Sequence, residues 1–147
     1  MRLVVQRVAR AAVRVNRITV AEIGSGLLIL VGVGADDEPS EAGWLARKVH
    51  EMRIFEDGAG KMNRSLGEVR GEVLVVPQFT LYADTSKGRR PSWVRAAPPE
   101  MARQRVEMFA LALEARGARV KRGAFREHME VELVNDGPVT ILLDGAV

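Results

Sequence analysis

The hexapeptide at residues 135–140, Asn-Asp-Gly-Pro-Val-Thr, interrupts what otherwise reads as one strand. Residues 129–134 before it alternate apolar and polar side chains, and residues 139–143 after it are equally strand-like. Proline cannot donate to a sheet ladder, and glycine within a strand often marks a bulge or a close backbone approach. The commoner interpretation is a tight turn between two strands. The other is a cis Gly137–Pro138 peptide, which would turn two carbonyl oxygens to the same side.

Composition excludes several broad classes for this chain of 147 residues. Hydrophobic residues make up 47% of it, which is too many for a disordered chain, and the length suits a single domain over residues 1–147. No stretch approaches the roughly 20 apolar residues that cross a bilayer, and the charged start is unlike a signal peptide. The absence of cysteine excludes disulfides and cysteine-based metal sites. We therefore expect a cytoplasmic protein with no membrane partner.

The pattern of apolar residues predicts a chain rich in strands. A continuous apolar run at residues 27–33 indicates a strand buried on both faces, and Asn16–Arg17 suits a turn. Polar loops are expected at residues 56–65 and 82–98. The complete set of predicted strands is residues 2–8, 12–20, 27–33, 53–55, 72–81, 119–125 and 129–143.

Two helices are predicted between these strands. The first starts near residues 36–39, where acidic residues and a proline suit a first turn, and it runs to about Met52. The second runs from Pro98–Pro99 to about Arg116, and Gly117 suits the position after its last turn. The order of elements predicts an α/β (α+β-like) fold with a mixed or antiparallel sheet and two main helices packed on it.

The usual catalytic signatures are missing from the sequence. The two histidines, His50 and His128, lie in no metal-ligand pattern, and no nucleophile-elbow sequence supports a catalytic triad. No Gly-x-Gly-x-x-Gly follows a strand, and no Walker sequence occurs. We expect no metal and no cofactor.

The segment Pro77-Gln78-Phe79-Thr80 is a second irregularity, because Pro and Gln break an apolar strand. An interrupted strand leaves backbone N–H groups without ladder partners. If they face a ligand, the amides near Phe79 and Thr80 could stabilise a developing oxyanion. A bulge at a sheet edge explains the sequence equally well.

The loop from Lys87 to Trp93 is a third irregularity. It carries Lys87, Arg89 and Arg90 beside an aromatic residue. Cations next to an aromatic suit a nucleic-acid backbone or an unstacked base. An ordinary charged surface loop is the commoner meaning of such a run.

These segments together resemble the D-aminoacyl-tRNA deacylases, also called D-tyrosyl-tRNA deacylases. The similarity covers essentially the full length, and the number of matching motifs in one order makes it specific. The matching segments are Val5-Gln6-Arg7-Val8, Gly24 to Leu28, Arg53-Ile54-Phe55, Gly60 to Asn63, Gln78 to Leu81, Lys87 to Trp93, Gly123-Ala124-Phe125 and Asn135 to Thr140.

The resemblance implies a homodimer with a barrel-like core whose substrate is aminoacyl-tRNA. In the family the Gly-Pro peptide is cis and enters the partner subunit's site, where its carbonyl oxygens bind the α-ammonium of a D-aminoacyl group and exclude an L side chain. Gly137 and Pro138 match that pair. The other implied roles are backbone contacts to the scissile ester from Gln78, Phe79 and Thr80, support of the Gly-Pro loop by Arg7, and packing around the terminal adenosine by Phe125 and Met129.

One residue departs from the family pattern. The family usually has Ser before Gln-Phe-Thr, and this chain has Pro77. A related class with a trans Gly-Pro and relaxed chirality carries Pro-Gln here, but it lacks the Phe and the Asn-Asp-Gly-Pro-Val-Thr sequence. The D-specific interpretation is therefore kept. The alternatives are an editing deacylase that removes an L-amino acid such as Ala, and a non-catalytic tRNA-binding module.

An aminoacyl ester is already activated, so its hydrolysis does not demand a strong nucleophile. Positioning, backbone N–H groups and a ribose hydroxyl of the substrate could suffice. Thr80 is the side-chain nucleophile candidate, but no base that would activate it is visible in the sequence. The resemblance also implies that Gly-tRNA is a substrate, since glycine has no side chain to exclude.

Overall fold

The computed structural model describes residues 1–145 and folds them into a six-stranded mixed sheet with helices on one side and a separate two-stranded sheet. The strands are β1 (Arg2–Val15), β2 (Ile18–Ile23), β3 (Gly26–Gly32), β4 (Phe55–Glu56), β5 (Met62–Arg64), β6 (Glu72–Pro77), β7 (Arg119–Arg122) and β8 (Glu130–Asp144). The helices are α1 (Ser40–Glu51), α2 (Leu66–Val69) and α3 (Pro99–Glu114), and a 3-10 helix spans Phe79–Tyr82.

The long strand β1 organises the sheet. One edge pairs antiparallel with β3 along its first half and with β2 along its second half, while β8 pairs antiparallel with its other edge. Strands β3, β6 and β7 then follow in parallel. The sheet curves back on itself, and the Lys121 Nζ of β7 donates to the Glu22 carbonyl of β2 at 2.6 Å. This barrel-like mixed sheet with two main helices confirms the predicted fold class.

Two apolar cores lie on the two faces of this sheet. Alternate residues of a strand point to opposite faces, so Leu27, Ile29 and Val31 of β3 pack under α1 and α3, whereas Leu28 joins a core enclosed by the curved sheet. Strand β3 is buried on both faces, as its continuous apolar run predicts. No helix within residues 1–145 has the length and apolar character needed to cross a bilayer.

The ends of the helices follow from local chemistry. Gly117 has φ of +90°, and the Ala118 N–H donates to the Leu113 carbonyl at 3.2 Å, so the glycine ends α3 as predicted. The short helix α2 is absent from the prediction. Its Ser65 and Glu68 cap each other's backbone N–H groups, and this Ser-x-x-Glu spacing is a signal the sequence does carry.

Several predicted strand limits are wrong. Residues 2–15 form one continuous strand, with no break near residues 9–11, and the turn lies at Asn16–Arg17, where both φ angles are positive. The strand predicted at residues 53–55 is a two-residue strand, β4, in a hairpin with β5, which lies in the segment predicted as a polar loop. Short strands carry too few residues to show a period.

The strand predicted at residues 72–81 ends at Pro77, and the chain continues as a 3-10 helix. This strand is not at a sheet edge, because β6 lies between β3 and β7, so the alternative of an edge bulge is also wrong. The ladder with β7 stops at the pair Val75–Arg122. Beyond it Pro77 has no N–H to offer, and the Gln78 N–H makes the last bond, to the Val31 carbonyl at 2.8 Å.

The favoured interpretation of residues 135–140 as a turn between two strands is wrong. Strand β8 stays paired with β1 on both sides of the interruption, with Gln6 opposite Thr140 and Val8 opposite Asn135. Residues 136–139 therefore bulge out opposite the single residue Arg7. The Gly137–Pro138 peptide is cis.

Candidate active site

An apolar cleft of about 590 Å³ opens where β3 and β6 end. The first two turns of α3 and the chain before β8 complete its walls, through Ala102, Val106, Phe125 and Met129. Clefts of this size at the carboxyl ends of parallel strands commonly bind small ligands. Because its walls are largely hydrocarbon, the cleft suits a flat, weakly polar group.

Two aromatic residues stand at one side of the cleft. The rings of Phe79 and Trp93 pack edge to face, with centroids 5.1 Å apart and an interplanar angle of 69°. Both stay exposed, Phe79 at 56% and Trp93 at 41%, which is unusual for large apolar side chains. Exposed rings that hold each other in place can stack against a ligand.

The 3-10 helix supplies free backbone donors beside the cleft. Its internal hydrogen bonds begin with the Leu81 N–H, which donates to the Gln78 carbonyl at 3.3 Å. Within residues 1–145 the N–H groups of Phe79 and Thr80 have no hydrogen-bond partner, as expected for the first amides of a helical turn. Two adjacent free amides are suited to bind an anionic oxygen.

The Thr80 hydroxyl is held by its neighbour. The Gln78 side-chain amide donates to the Thr80 Oγ1. No carboxylate or imidazole in the described part of the chain hydrogen-bonds to that hydroxyl. The geometry thus fixes Thr80 without giving it a general base.

The far end of the 3-10 helix is anchored to the rest of the fold. The Tyr82 hydroxyl donates to the Asp37 carboxylate, 3.0 Å from Oδ2, and the Arg2 Nη1 donates to the Leu81 carbonyl at 3.2 Å. Burial, and next the Asp37 charge, raise the pKa of Tyr82 above its ordinary value. The phenol therefore stays a neutral donor.

The Gly137–Pro138 loop is exposed, but it is tied down at its base. Buried Arg7 donates from Nε to the Asp136 carbonyl at 3.0 Å and from Nη1 to the Ile54 carbonyl at 2.7 Å. The Asn135 side-chain amide donates to the carbonyls of Arg7, at 3.2 Å, and Val139, at 3.0 Å. The loop is thus held from β1 and from within β8.

The structure brings some predicted site residues together and keeps others apart. Gln78, Phe79, Trp93, Phe125 and Met129 line one cleft, and Thr80 follows directly in the chain. The cleft of the same chain is not lined by Arg7, Gly137 or Pro138, nor by Lys87, Arg89 or Arg90.

The predicted tRNA-binding loop is closed at its base and exposed at its tip. Asp84 and Ser92 exchange two backbone hydrogen bonds of 2.9 Å. Lys87, Arg89 and Arg90 lie between them and are all exposed. Trp93 therefore follows a defined turn and reaches the cleft, while the cations face solvent.

Most of the residues that line the cleft were not predicted from the sequence, and Ala102, Val106, Arg126 and His128 are examples. Ala102 and Val106 lie one helical turn apart on α3, and that i, i+4 spacing is a signal for a shared face. Arg126 and His128 enter the wall because the chain turns sharply at Arg126, whose φ is +64°. A positive φ at a non-glycine residue could not be foreseen from sequence. The described residues contain no cluster of three His, Asp or Glu side chains that could hold a metal.

Comparisons with known sequences agree over nearly the whole chain. The profile of a family described as D-Tyr-tRNA(Tyr) deacylase matches residues 4–144. The D-aminoacyl-tRNA deacylase of Thermomicrobium roseum is 58% identical over 146 residues, which cover 99% of this chain and 95% of that protein. The D-aminoacyl-tRNA deacylase of Thermotoga petrophila is 55% identical over 146 residues, which cover 99% of this chain and 98% of that protein.

Comparisons with solved structures agree on the fold. A structure described as c-Myc DNA unwinding element binding protein superposes with a TM-score of 0.92 at 37% identity, over 100% of both chains. A structure described as a probable eukaryotic D-amino acid tRNA deacylase superposes with a TM-score of 0.83 at 17% identity, over 97% of both chains. The second likeness concerns the fold alone.

Proposed function

The chain belongs to the D-Tyr-tRNA(Tyr) deacylase family, and we propose that it is an ester hydrolase that releases D-amino acids from tRNA in the cytoplasm. Family membership confirms the resemblance seen in the sequence. The observation that carries the chemical proposal is the pair of free Phe79 and Thr80 amides beside an apolar cleft.

In this proposal the terminal adenosine of the tRNA occupies the cleft. Phe125 and Met129 supply apolar wall for the base, and the rings of Phe79 and Trp93 border it. The ester then lies beside the 3-10 helix, where the Phe79 and Thr80 amides stabilise the oxyanion of the tetrahedral intermediate. Loss of one such donor typically costs about 10²–10³-fold in rate.

The attacking group in this proposal is water assisted by a ribose hydroxyl of the substrate. The Thr80 hydroxyl accepts a hydrogen bond from Gln78 and has no base beside it, which disfavours direct attack by Thr80. Thr80→Val therefore keeps most of the rate, whereas a substrate whose terminal adenosine lacks the free ribose hydroxyl reacts slowly. Equal hydrolysis of the deoxy substrate would contradict this assignment.

Selection of the D-enantiomer is assigned to Gly137 and Pro138 of a partner subunit. Both residues are exposed and lie outside the cleft of their own chain, so a filter at the cleft requires a second copy. Backbone carbonyls would bind the α-ammonium and leave no space for an L side chain, and each 1.4 kcal/mol of exclusion gives about tenfold selection. Arg7 would hold that loop in place.

A homodimer is supported by the surface of β8. This 15-residue strand pairs with β1 along one edge only among the described strands. Val134 is 41% exposed and Leu142 is 75% exposed on the same strand. Long exposed edges with apolar side chains are normally covered in native proteins. An isologous contact would place each loop on the other chain.

Deacylation of matched substrates tests the activity. We expect rapid hydrolysis of D-Tyr-tRNA and Gly-tRNA and slow hydrolysis of L-Tyr-tRNA and L-Ala-tRNA. Preferential hydrolysis of L-Ala-tRNA would instead identify an editing deacylase for L-amino acids, and resistance of Gly-tRNA would contradict the exclusion mechanism.

Mixing two variants tests the shared site, provided that each alone hydrolyses D-Tyr-tRNA slowly, as we expect if the loop carbonyls bind the α-ammonium and the cleft binds the adenosine. Gly137→Ala alters the loop, and Ala102→Trp fills the cleft. A mixed dimer holds one site with both parts intact, so random exchange restores about a quarter of wild-type activity if the loop acts in trans. No recovery, with mixed dimers demonstrated by mass spectrometry, would show that loop and cleft act within one chain.

A nucleic-acid-binding protein without hydrolytic activity is the second candidate. It is favoured by the exposed cations of the Lys87–Trp93 loop and by the 37% identical protein, which is described as a DNA-unwinding-element-binding protein. Purified protein that binds tRNA but leaves D-aminoacyl-tRNA intact would establish this candidate in place of the first.

A further inference from the structure

A second cleft, of about 610 Å³, lies at the opposite end of β6 and α3 from the apolar cleft. Its walls come from His50 at the end of α1, from α2, and from the turn that follows α3. The lining residues that matter for its charge are Arg70, Arg116 and Arg119. We call it the basic cleft.

The three arginines of the basic cleft have no acidic partner. The Arg116 Nη1 donates to the Ala112 carbonyl at 3.2 Å, and the Arg119 Nη2 donates to the Arg70 carbonyl at 2.8 Å. Within residues 1–145 none of the three forms an ion pair with a carboxylate. Elsewhere Arg122, for example, is bound by two glutamates at 2.8 and 2.9 Å. The guanidinium groups of the basic cleft therefore keep most of their donors for an external anion.

The acidic residue that lines the basic cleft does not neutralise it. The Glu68 carboxylate accepts the Ser65 N–H at 2.6 Å as part of the α2 cap. The N–H and hydroxyl of Ser65 lower the pKa of Glu68, and the charges of Arg64 and Arg53 lower it further. Those two arginines add to the positive field, so the cleft keeps a clear excess of positive charge.

A phosphate-rich ligand fits this arrangement. Arginine forks match phosphate oxygens in a bidentate way, and several guanidinium groups around an open cleft suit a polymer with repeated phosphates. The six residues of β6 separate the two clefts by roughly 17 Å at about 3.3 Å per residue. This distance exceeds the length of one nucleotide. A tRNA whose terminal adenosine lies in the apolar cleft would therefore reach the basic cleft with phosphates of nucleotides that precede that adenosine in the RNA chain.

We propose that the basic cleft, through Arg70, Arg116 and Arg119, binds backbone phosphates of the tRNA acceptor stem. The proposal rests on the proposed function, because it concerns the same substrate. It separates two tasks in one chain: the apolar cleft binds the reacting end, and the basic cleft binds the RNA body regardless of its sequence.

The test compares a full substrate with a minimal one. The triple variant Arg70→Gln, Arg116→Gln, Arg119→Gln and the wild type are assayed on D-Tyr-tRNA and on the D-tyrosyl ester of adenosine. We expect kcat/KM on the tRNA to fall about tenfold or more, with the adenosine ester hydrolysed at an unchanged rate. The slope of log Kd for tRNA against log salt falls by about 0.7–0.9 for each phosphate that the variant no longer neutralises.

The matched control removes the same charge elsewhere. Arg17→Gln, Arg47→Gln and Lys48→Gln change exposed cations that line neither cleft. An equal loss in the control, or an equal loss on both substrates, would overturn the proposal. If the triple variant does not fold, Arg116→Gln alone serves, since the Arg116 side chain bonds only to the nearby Ala112 carbonyl at the end of α3. We expect about a threefold loss on tRNA with none on the adenosine ester.

The outcome can be separated from a failure of the proposed function. If the wild type hydrolyses neither substrate, the deacylase proposal fails, and tRNA affinity then decides the role of the basic cleft. Weaker tRNA binding by the triple variant than by the control supports the cleft. Unchanged tRNA binding by the triple variant overturns the proposal. Binding of inorganic phosphate that the triple variant loses, with tRNA binding unchanged, overturns it as well.

Discussion

Two strands of the sheet are interrupted, and the two interruptions have opposite structures. At Pro77, β6 ends, and the chain enters a 3-10 helix whose first two N–H groups have no partner within residues 1–145. At Gly137–Pro138, β8 bulges out and then resumes its pairing with the same strand. The first break thus presents backbone donors, while the second presents a loop whose base is fixed by side chains from β1 and β8.

The difference shows how a chain without a catalytic triad can still form a site. The free N–H groups after β6 require only that the chain leave the sheet and begin a helical turn, because the first N–H groups of any helix have no partner within it. A loop that must hold a fixed shape in solvent needs buried support. Arg7 and Asn135 give that support, so we expect substitutions at the second break to cost more stability than substitutions at the first.

Arg7→Ala is the strongest test of this comparison. It leaves the Asp136 and Ile54 carbonyls without their donor, and for the buried Ile54 carbonyl an unsatisfied polar group costs about 1–3 kcal/mol, to which the lost packing of the buried Arg7 side chain adds. We expect the free energy of unfolding to fall by about 3 kcal/mol in urea denaturation, with D/L discrimination lost under the proposed function.

The matched control for Arg7 lies three residues further along β1. Arg10 is 58% exposed in its side chain and approaches Glu132 at 3.7 Å. Exposed pairs contribute about 0–1 kcal/mol, so Arg10→Ala should change stability little. If the two alanine variants lose the same stability, the loop does not depend on the buried arginine.

Gly137→Ala is expected to have the next largest effect. Gly137 has φ of +138°, and an added Cβ would lie 2.8 Å from the Val139 backbone nitrogen. Such contact with the backbone affects the fold as well as the selection of substrate. We expect a loss of about 1–3 kcal/mol, measured by thermal and urea unfolding.

The expected loss at Gly137 has two causes, the positive φ and the contact of the added Cβ with the backbone, and Gly60→Ala tests the first cause alone. Gly60 also has a positive φ, of +75°, but nothing lies within 4 Å of its Cβ position. It should lose only the left-handed penalty of about 1 kcal/mol. A Gly137→Ala variant no less stable than Gly60→Ala would mean that the loop adapts and that the second break is not rigid.

Sequence reasoning succeeded where neighbours in the chain decide the structure. The run that forms β3, the turn at Asn16–Arg17 and the end of α3 at Gly117 follow from local rules. It failed at residues 135–140, where the same residues permit a turn or a bulge. The choice depends on Arg7, which lies 129 positions away from Asp136. No local rule contains that contact.

The candidate site was predictable only in part, for a related reason. The residues of the break at Pro77 stand out in the sequence, but their 3-10 conformation depends on the point at which the ladder with β7 stops. The roles of Phe125 and Met129 came from the family resemblance, since neither residue carries a local signal. The structure places both in the cleft, and their contact with substrate stays a prediction.

The smallest expected effect concerns the anchor of the first break. Tyr82→Phe removes the hydrogen bond to Asp37 and should cost about 1 kcal/mol, less than the changes at the second break. Tyr82 is the one tyrosine of the chain, so the phenolate absorbance reports on it alone. Because its pKa is raised in the folded state, the native protein keeps a proton that the unfolded chain loses above a pH of about 10.

That difference has a definite sign in an alkaline titration. The native protein binds more protons than the unfolded chain above the ordinary tyrosine pKa, so stability falls as the pH rises further. We expect no phenolate absorbance from the folded wild type near the ordinary pKa, and its appearance together with unfolding. In Tyr82→Phe the alkaline loss of stability becomes smaller. A folded wild type that titrates normally would show that Tyr82 is neither buried nor bonded to Asp37, and hence that this side chain does not anchor the 3-10 helix.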